Sequence, residues 1–184
     1  SASPTTRKGG WELPPLSLSF RDYVIADEAR RESTEWKHSW VYWLDRLPRL
    51  PPSPQLPQLP QLPLAASVPH GQPRLTSLQH RLDSVSWSRL KAALRAQALT
   101  PSAALLGLFA RVLERWAGQP DFTLNLTYFD RLPVHPEVTK LIGDFTSVLL
   151  ADFEIDPTAK LRCTLQQTQA MLWRHLAHAQ VSGV

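Results

Sequence analysis

The stretch from Phe122 to Ser147 reads FTLNLTYFDRLPVHPEVTKLIGDFTS, and this stretch decides the fold. It begins with alternating apolar and polar side chains, which predict a half-buried strand over Asp121 to Phe129. A loop with two prolines follows, and the apolar run from Leu141 to Phe153 predicts a second strand that Gly143-Asp144 opens. Two strands leave edges that need partners, so the rest of the sheet is expected outside this chain.

Less regular sequence precedes these strands. A helix is predicted to begin at its N-cap Ser19 and to run to about Leu47, with the polar residues from Asp27 to Lys37 able to divide it. The tract from Pro48 to Pro63 repeats Gln-Leu-Pro and is predicted to form polyproline II. We favour a stiff spacer over a ligand for a Pro-recognising domain, because structured segments flank the tract. Residues 1–10 are small and polar, and they predict a disordered or loop segment.

Three further helices are predicted around the strands. Ser86 to Leu99 has one apolar face, and Leu75 to Leu82 before it alternates weakly, as a strand does. The clearest helix lies between Thr100, an N-cap followed by proline, and Gly118, which ends it. The apolar positions that keep its helical period are Leu105, Leu108, Phe109, Val112, Leu113 and Trp116. A last helix, capped by Asp156-Pro157, is expected to bury Leu161, Leu165, Thr168, Leu172 and Leu176.

Composition narrows the classes of function. The 184 residues fit one domain or part of a larger one, and 43% hydrophobic residues are ordinary for a globular protein. The net charge is +4, but the basic residues are scattered, which argues against nucleic-acid binding. The single cysteine, Cys163, precludes an intramolecular disulfide. Together with the lack of a signal peptide or a long apolar run in this sequence, it predicts a soluble cytoplasmic protein that does not enter membranes.

Generic catalytic and cofactor motifs do not occur in the sequence. It contains no glycine-rich phosphate loop and no serine in a GxSxG elbow. His175 and His178 are three residues apart, but no third metal ligand is evident near them. We therefore expect no metal site, and we interpret the two histidines as part of a solvated helix face. Cys163 is interpreted as a structural thiol.

The polar residues of the opening stretch remain as candidates for chemistry, but each has a plain structural interpretation. Asp130 and Arg131 follow the first strand and fit a solvated loop. His135 stands between Val134 and Pro136, where a loop histidine is the ordinary case. Gly143-Asp144 fits a turn that opens a strand. Spacing alone therefore assigns no function to this segment.

Taken together, the motifs of this chain resemble the heterocyclisation domains of nonribosomal peptide synthetases, a subclass of the condensation-domain superfamily. FTLNLT combined with GDFTS distinguishes this subclass from ordinary amide-forming condensation domains. The resemblance covers roughly residues 11 to 184. In chain order, its motifs are SFRDYV (Ser19–Val24), YW-x-x-RL (Tyr42–Leu47), LPL (Leu62–Leu64), TPS (Thr100–Ser102), RW (Arg115–Trp116), FTLNLT (Phe122–Thr127), HPEV (His135–Val138), GDFTS (Gly143–Ser147) and VSGV (Val181–Val184).

Two features depart from the family pattern. Asp130 stands where the family usually has asparagine, so the role of that asparagine does not carry over to this chain. The Gln-Leu-Pro repeat lengthens the linker, which is expected to change only spacing.

The resemblance implies an α/β (α+β) fold like that of chloramphenicol acetyltransferase, with two lobes in a V and a tunnel between them. This chain would be an incomplete part of it. Residues 11–47 would end the first lobe, residues 48–74 would form the linker, and residues 75–184 would begin the second lobe. The family's aspartate-rich signature, and two elements that carry a threonine and an aspartate, would lie outside the chain.

The resemblance also implies partners. Upstream and downstream peptidyl carrier domains would deliver phosphopantetheine thioesters to the two ends of the tunnel, and no cofactor would be bound by this chain itself. An adjoining adenylation domain and the remainder of the same condensation-type domain are the other partners expected.

The implied reaction has two stages. The amine of a carrier-bound Cys, Ser or Thr attacks an acyl thioester, and its side chain then attacks the new amide carbonyl with loss of water, giving a thiazoline or oxazoline. Both stages move protons and develop charge on oxygen. Asn125 is the leading catalytic candidate because its amide both donates and accepts hydrogen bonds. Asp144 follows, with a structural role as an equal alternative, and Thr127 and Arg131 complete the set.

Three other functions stay open on the sequence. An ordinary condensation domain would form the amide and stop there. A non-catalytic condensation-like module would serve as an interaction platform. A Pro-rich adaptor would use Pro48 to Pro63 as its ligand.

Overall fold

The structure, a computed structural model, describes residues 14–55, 77 and 79–182. In this part of the chain, four helices precede two strands and a fifth helix follows them, with single 3-10 turns at Leu47–Arg49 and Val138–Lys140. In chain order, the elements are α1 (Phe20–Arg30), α2 (Thr34–Arg46), α3 (Ser84–Arg95), α4 (Pro101–Ala117), β1 (Asp121–Phe129), β2 (Thr146–Glu154) and α5 (Leu161–Leu176).

The two strands form an antiparallel pair, with Phe122 opposite Phe153 and Phe129 opposite Thr146. The predicted strand over Asp121 to Phe129 is confirmed at both ends. The second strand was predicted from Leu141 but begins five residues later, at Thr146. Residues 141–145 turn instead of extending, because Leu141 and Phe145 are drawn into a separate apolar cluster.

One face of the sheet carries the main core. Phe122, Ala151 and Phe153 pack there against α4 and α5, and the rings of Phe122 and Phe153 stack with centroids 5.3 Å apart. Ala110 supplies the contact from α4, and Met171 supplies it from α5. The opposite face carries the polar side chains of β1, so the alternation in the sequence is reproduced in space.

Helices α4 and α5 approach closely through small side chains. A Cβ atom at Gly107 would lie 2.8 Å from Leu165 Cδ2 and 3.0 Å from Thr168 Oγ1, which is too close for ordinary packing. The predicted ends of α4 are confirmed, since the Thr100 side chain caps its start and Gly118 ends it in the left-handed conformation.

The most buried face of α4 is not the one that carries most of its large apolar side chains. The buried positions are Ala103, Ala104, Gly107 and Ala110. Leu106 and Leu113 are partly buried against the core. The other large apolar side chains lie on the outer side of the helix, exposed in Leu105, Leu108, Phe109, Val112 and Trp116. A large side chain on the inner stripe would not fit the close contact with α5, which explains the reversal.

The last helix also differs from its prediction. It is preceded by Lys160 and not capped by Asp156-Pro157, because the Asp156 carboxylate accepts the Thr158 N–H in a local turn. Of the five positions predicted to be buried, Leu161 and Leu176 are exposed and Leu172 is half-buried. The buried positions of α5 are Thr164, Leu165, Thr168, Met171 and His175. Cys163 is exposed, so its interpretation as a structural thiol is wrong.

The long N-terminal helix that the sequence predicts is two helices, which meet at residues 31–33 inside the polar stretch that was expected to divide it. Ser19 caps α1 in a reciprocal capping box with Asp22, and Ser33 caps α2. Each helix therefore starts on its own capping serine. Tyr23 of α1 packs into the loop cluster with Phe145, and Trp43 of α2 is buried near the end of α5.

Short segments cover both outer edges of the strand pair. Thr123 of β1 donates from its N–H to the Pro52 carbonyl at 3.0 Å and from its hydroxyl to the Pro51 carbonyl at 2.6 Å. On the other edge, the Val148 N–H of β2 donates to the Ser182 hydroxyl at 3.3 Å. The start of the Pro-rich tract thus satisfies a strand edge, which a spacer alone does not do.

Some predictions fall partly outside the described residues. Residues 1–10 and the tract from 56 to 63 lie outside them. In the weak strand predicted from Leu75 to Leu82, the described residues, 77 and 79–82, form no strand, and the helix that follows starts at Ser84 on an Asp83 cap and ends at Arg95. The division into a first lobe, a linker and a second lobe stays a prediction.

Candidate functional site

The polar face of β1 presents the leading sequence candidates. Asn125 and Thr127 are exposed, and they lie directly opposite Leu150 and Val148 of β2. Their side chains point away from the core that Phe122 occupies on the other face. An exposed amide and an exposed hydroxyl two residues apart on one strand can both donate and accept hydrogen bonds toward a bound molecule.

Asp144 lies at the turn before β2 and is exposed. Its carboxylate accepts the Thr146 N–H at 2.8 Å, and hydrogen bonds from Thr146 hold the pKa of Asp144 below its ordinary value. The preceding Gly143 passes so close to the Phe20 ring that a Cβ there would overlap it. Asp144 is therefore an ionised group that shapes the turn, and its local role is structural.

Arg131 braces the loop between the strands. Its Nη1 donates to the carbonyls of Val138 and Leu141, the latter at 3.0 Å, and the guanidinium lies 3.7 Å from the Phe145 ring centroid. These contacts combine hydrogen bonding with cation–π attraction. They tie the start of the loop to the residues before Asp144.

The same loop is attached to α1. The Tyr23 hydroxyl donates to the Asp130 carbonyl at 2.7 Å and accepts the Leu132 N–H at 3.1 Å. The Asp130 carboxylate faces Arg30 at 3.5 Å, and Arg30 also pairs with Asp27 at 2.8 Å. The aspartate at position 130, which departs from the family pattern, thus has an arginine partner in this chain.

Between the first two helices and the GDFTS turn lies a cleft of about 390 Å³. Charged and hydroxyl groups line it together with two tryptophans, Trp36 and Trp40, whose rings stack at 5.3 Å. Asp144 borders this cleft, whereas Asn125 and Thr127 lie outside its lining. The structure therefore separates the sequence candidates: Asn125 and Thr127 lie on the open strand face, Asp144 lies at the cleft, and Arg131 lies in the loop outside the cleft lining.

Sequence reasoning missed a buried ion network beside this face. His175, which was interpreted as part of a solvated helix face, is fully buried. Its Nε2 lies 3.1 Å from Asp152 Oδ1, its Nδ1 lies 2.9 Å from the Leu150 carbonyl oxygen, and Arg46 Nη2 contacts Asp152 Oδ2. Burial lowers the pKa of His175, and the Asp152 carboxylate acts in the opposite direction.

Aromatic contacts extend this network to the end of α5. The Tyr42 ring stacks on His178 with centroids 3.9 Å apart, and Trp43 Nε1 donates to the His178 carbonyl at 2.9 Å. Burial also lowers the pKa of His178, and the neighbouring His38 lowers it further. The YW-x-x-R motif therefore acts as one contact surface for both histidines.

One signal in the sequence marks this network. Asp152 interrupts an otherwise apolar run between Ala151 and Phe153, and a carboxylate inside such a strand needs a buried partner. The partner arginine and histidine are distant in sequence, so no local pattern names them. Among the described residues, no group of three potential ligands could hold a metal ion. No helix in the same part of the chain is long and apolar enough to cross a membrane.

Comparison with known proteins agrees with these features. The family described as Condensation domain matches residues 5–182. The chain is 35% identical over 175 residues to phenyloxazoline synthase MbtB of Mycolicibacterium paratuberculosis, covering 95% of this chain and 14% of that protein. It is 36% identical over 140 residues to pyochelin synthetase PchF of Pseudomonas aeruginosa, covering 76% of this chain and 7% of that protein.

A solved structure extends the likeness to the fold. The cyclization-docking bidomain of the EpoB nonribosomal peptide synthetase from Sorangium cellulosum superposes with a TM-score of 0.77 at 39% identity, covering 96% of this chain and 34% of that one. The chain thus spans about a third of this structure and a smaller share of the curated relatives it matches. The predicted condensation-domain fold and the predicted resemblance to heterocyclisation domains are both confirmed. The chain therefore belongs to the condensation-domain family, in the branch that holds the heterocyclisation domains of nonribosomal peptide synthetases.

Proposed function

We propose that this chain supplies part of a domain that joins an acyl thioester to carrier-bound Cys, Ser or Thr and closes the product to a thiazoline or oxazoline. The observation that carries the proposal is the pairing of FTLNLT and GDFTS. FTLNLT lies on β1, and GDFTS leads into β2, the strand that is hydrogen-bonded to β1, in a chain 39% identical to a cyclization bidomain. The remaining groups of the site belong to the rest of the domain.

Asn125 is the residue that we assign to the chemistry. Its exposed side chain can donate to the oxygen of the newly formed amide while the substrate thiol or hydroxyl attacks the carbonyl carbon. The proton of the attacking group must leave, and the hydroxyl of the tetrahedral intermediate departs as water, so a proton acceptor and donor is also needed. Asn125 fixes the oxygen, and the acid and base lie elsewhere in the domain.

The other candidates act around Asn125. Thr127 lies on the same face two residues along and can hold substrate or water by its hydroxyl. Asp144 and Arg131 are assigned positioning roles, because the first organises the turn into β2 and the second ties the loop to Phe145.

The partners follow from the same proposal. Upstream and downstream peptidyl carrier domains present their substrates on phosphopantetheine arms, so the thioester is part of the substrate and not a cofactor held by this chain. An adenylation domain loads the downstream carrier, and the remainder of the condensation-type domain completes the tunnel. We expect all of these domains to act in the cytoplasm.

The test uses the longest native polypeptide that contains this chain, with an acyl-loaded upstream carrier and a cysteinyl-loaded downstream carrier. Asn125→Ala is expected to reduce ring closure by about a hundredfold or more, because one fixed oxyanion donor contributes on that scale. Thr123→Ala, on the same strand face but bonded to the Pro51 and Pro52 carbonyls, is the matched control and should leave the rate near wild type. Unchanged ring closure in Asn125→Ala would show that the assignment is wrong.

The wild-type product separates the rival functions. An intact amide as the sole product would indicate an ordinary condensation domain. No transfer between carriers, with all partners loaded, would indicate a non-catalytic module. Binding of the isolated 48–63 tract to a Pro-recognising domain would support the adaptor function.

A further inference from the structure

We propose that Arg46, Asp152 and His175 form a buried network, built on the Arg46–Asp152 ion pair, that positions the Asn125 face of the sheet by joining α2, β2 and α5. The expected effect of the network on the rate of ring closure rests on the proposed function. Its effect on the structure of the sheet rests only on the contacts of the folded chain. None of the three residues belongs to the motifs that the catalytic assignment uses.

The network joins three elements through a single carboxylate. Asp152 directs one oxygen to Arg46 of α2 and the other to His175 of α5, at 3.1 Å from Nε2. All three side chains are largely removed from solvent, with exposed fractions of 23% for Arg46, 14% for Asp152 and 0% for His175. The Arg46–Asp152 ion pair is shielded in this way, so its attraction is less weakened by solvent than that of an exposed pair.

The neighbouring polar atoms show which nitrogen of the His175 ring carries a proton. A backbone carbonyl only accepts hydrogen bonds, so Nδ1, which lies 2.9 Å from the Leu150 oxygen, carries a hydrogen. Nε2 and Asp152 Oδ1 lie 3.1 Å apart, and neither of these buried atoms has a hydrogen-bond partner within the described residues, so each is the nearest polar neighbour that the other has on this side of the ring. The ring therefore links a backbone atom and a carboxylate of the same strand.

The part of β2 that the network contacts is paired with the part of β1 that carries the candidate site. Leu150 is directly opposite Asn125 in the sheet, and Asp152 is directly opposite Thr123 on the same face. His175 thus fixes the backbone of β2 at the residue across from Asn125, and Arg46 fixes α2 beside it. Since His175 is fully buried, it cannot touch substrate, and its role is positioning.

Two independent readouts test the network in the longest native polypeptide that contains this chain. Asp152→Asn keeps the shape of the side chain and removes its charge. Asp45→Asn is the matched control, because Asp45 is adjacent to Arg46 but pairs with Arg49 at the surface, with exposed fractions of 72% and 69%. The first readout is amide hydrogen exchange of the peptide that spans β1, which is expected to accelerate in Asp152→Asn and not in Asp45→Asn.

The second readout is the single-turnover rate of ring closure, measured well below the unfolding temperature of each variant. Asp152→Asn is expected to slow this step about ten- to a hundredfold, the scale of a small misplacement of a reacting group. In an Asn125→Ala background the same substitution should have little further effect, because the network acts through Asn125. A purely structural role would give the same loss in both backgrounds.

The outcomes separate the two proposals. Unchanged β1 exchange in Asp152→Asn would overturn the network proposal whatever the activity. The network proposal would also be overturned if β1 exchange accelerated while Asp152→Asn left the ring-closure rate unchanged. The same holds if Asp152→Asn slowed ring closure by the same factor in the wild-type and Asn125→Ala backgrounds. A wild-type protein that forms no ring would instead overturn the proposed function, and in that case the exchange experiment alone decides whether the network holds β1.

Discussion

Replacing Phe122 with alanine should be among the most damaging single changes in this chain. Phe122 is fully buried, its ring stacks on Phe153, and its neighbours include Ala110 and Ala151, which are too small to move into the space it would leave. Truncation of a buried phenylalanine costs about 3–5 kcal/mol when the site cannot collapse. A typical domain is stable by only about 5–15 kcal/mol, so much of the free energy of unfolding would be lost.

The same strand offers a matched control. Phe129 is 83% exposed at the other end of β1 and lies on the opposite face, so Phe129→Ala should change the free energy of unfolding by about 0.5 kcal/mol or less. Urea unfolding of the longest native polypeptide that contains this chain, followed by tryptophan fluorescence, measures both variants. A Phe122→Ala cost below about 1 kcal/mol, or an equal cost for the two variants, would refute the face assignment of β1 on which the Asn125 proposal depends.

The remaining predictions concern the loop that leads to β2. Tyr23→Phe removes a hydroxyl that bonds Asp130 and Leu132, so it should lower the free energy of unfolding by about 1–3 kcal/mol. Tyr42→Phe is its control and should have almost no effect, because the Tyr42 hydroxyl makes no hydrogen bond within the described residues; equal losses would contradict the reasoning. The Asp144 carboxyl should titrate by NMR below the ordinary aspartate pKa of 3.8, so its stabilising effect is present above that pH and is lost as the pH falls through the lower, folded-state pKa. A midpoint at or above 3.8 would show that Thr146 does not bond to it.

Much of the fold could be predicted from local sequence signals. Thr100-Pro101 and Gly118 mark the ends of α4 because capping and the left-handed conformation depend on residue type alone. The alternation from Phe122 to Tyr128 predicts β1 because a strand turns successive side chains to opposite faces. These features need no knowledge of distant residues.

The orientation of the helices could not be predicted in the same way. In α4 the large apolar residues suggested the buried face, but close packing against Leu165 selects the small stripe that contains Gly107. In α5 the apolar period was recognised, yet the face is set by Met171 and His175, which meet the sheet. Tertiary contacts therefore decide which of several apolar stripes is buried.

The candidate site also combines features that local sequence predicts with features that depend on the folded chain. The position of Asn125 on the polar face of β1 follows from the alternation of that strand, whereas the local bond from the Thr146 N–H to Asp144 appears only once the turn is formed. The network around Asp152 joins residues more than a hundred positions apart in the case of Arg46. A contact of that kind has no period or spacing in the sequence, so it is visible only in the folded chain.

The central claim is tested most directly by the mass of the product on the downstream carrier. The longest native polypeptide containing this chain would be given an acyl-loaded upstream carrier, and the downstream carrier would be loaded with cysteine or, in parallel, with alanine. We expect the cysteine product to be one water lighter than the open amide, and the alanine product to remain the open amide because it has no side-chain nucleophile. An open amide from both carriers would contradict the assignment of heterocyclisation to the domain that this chain helps to form.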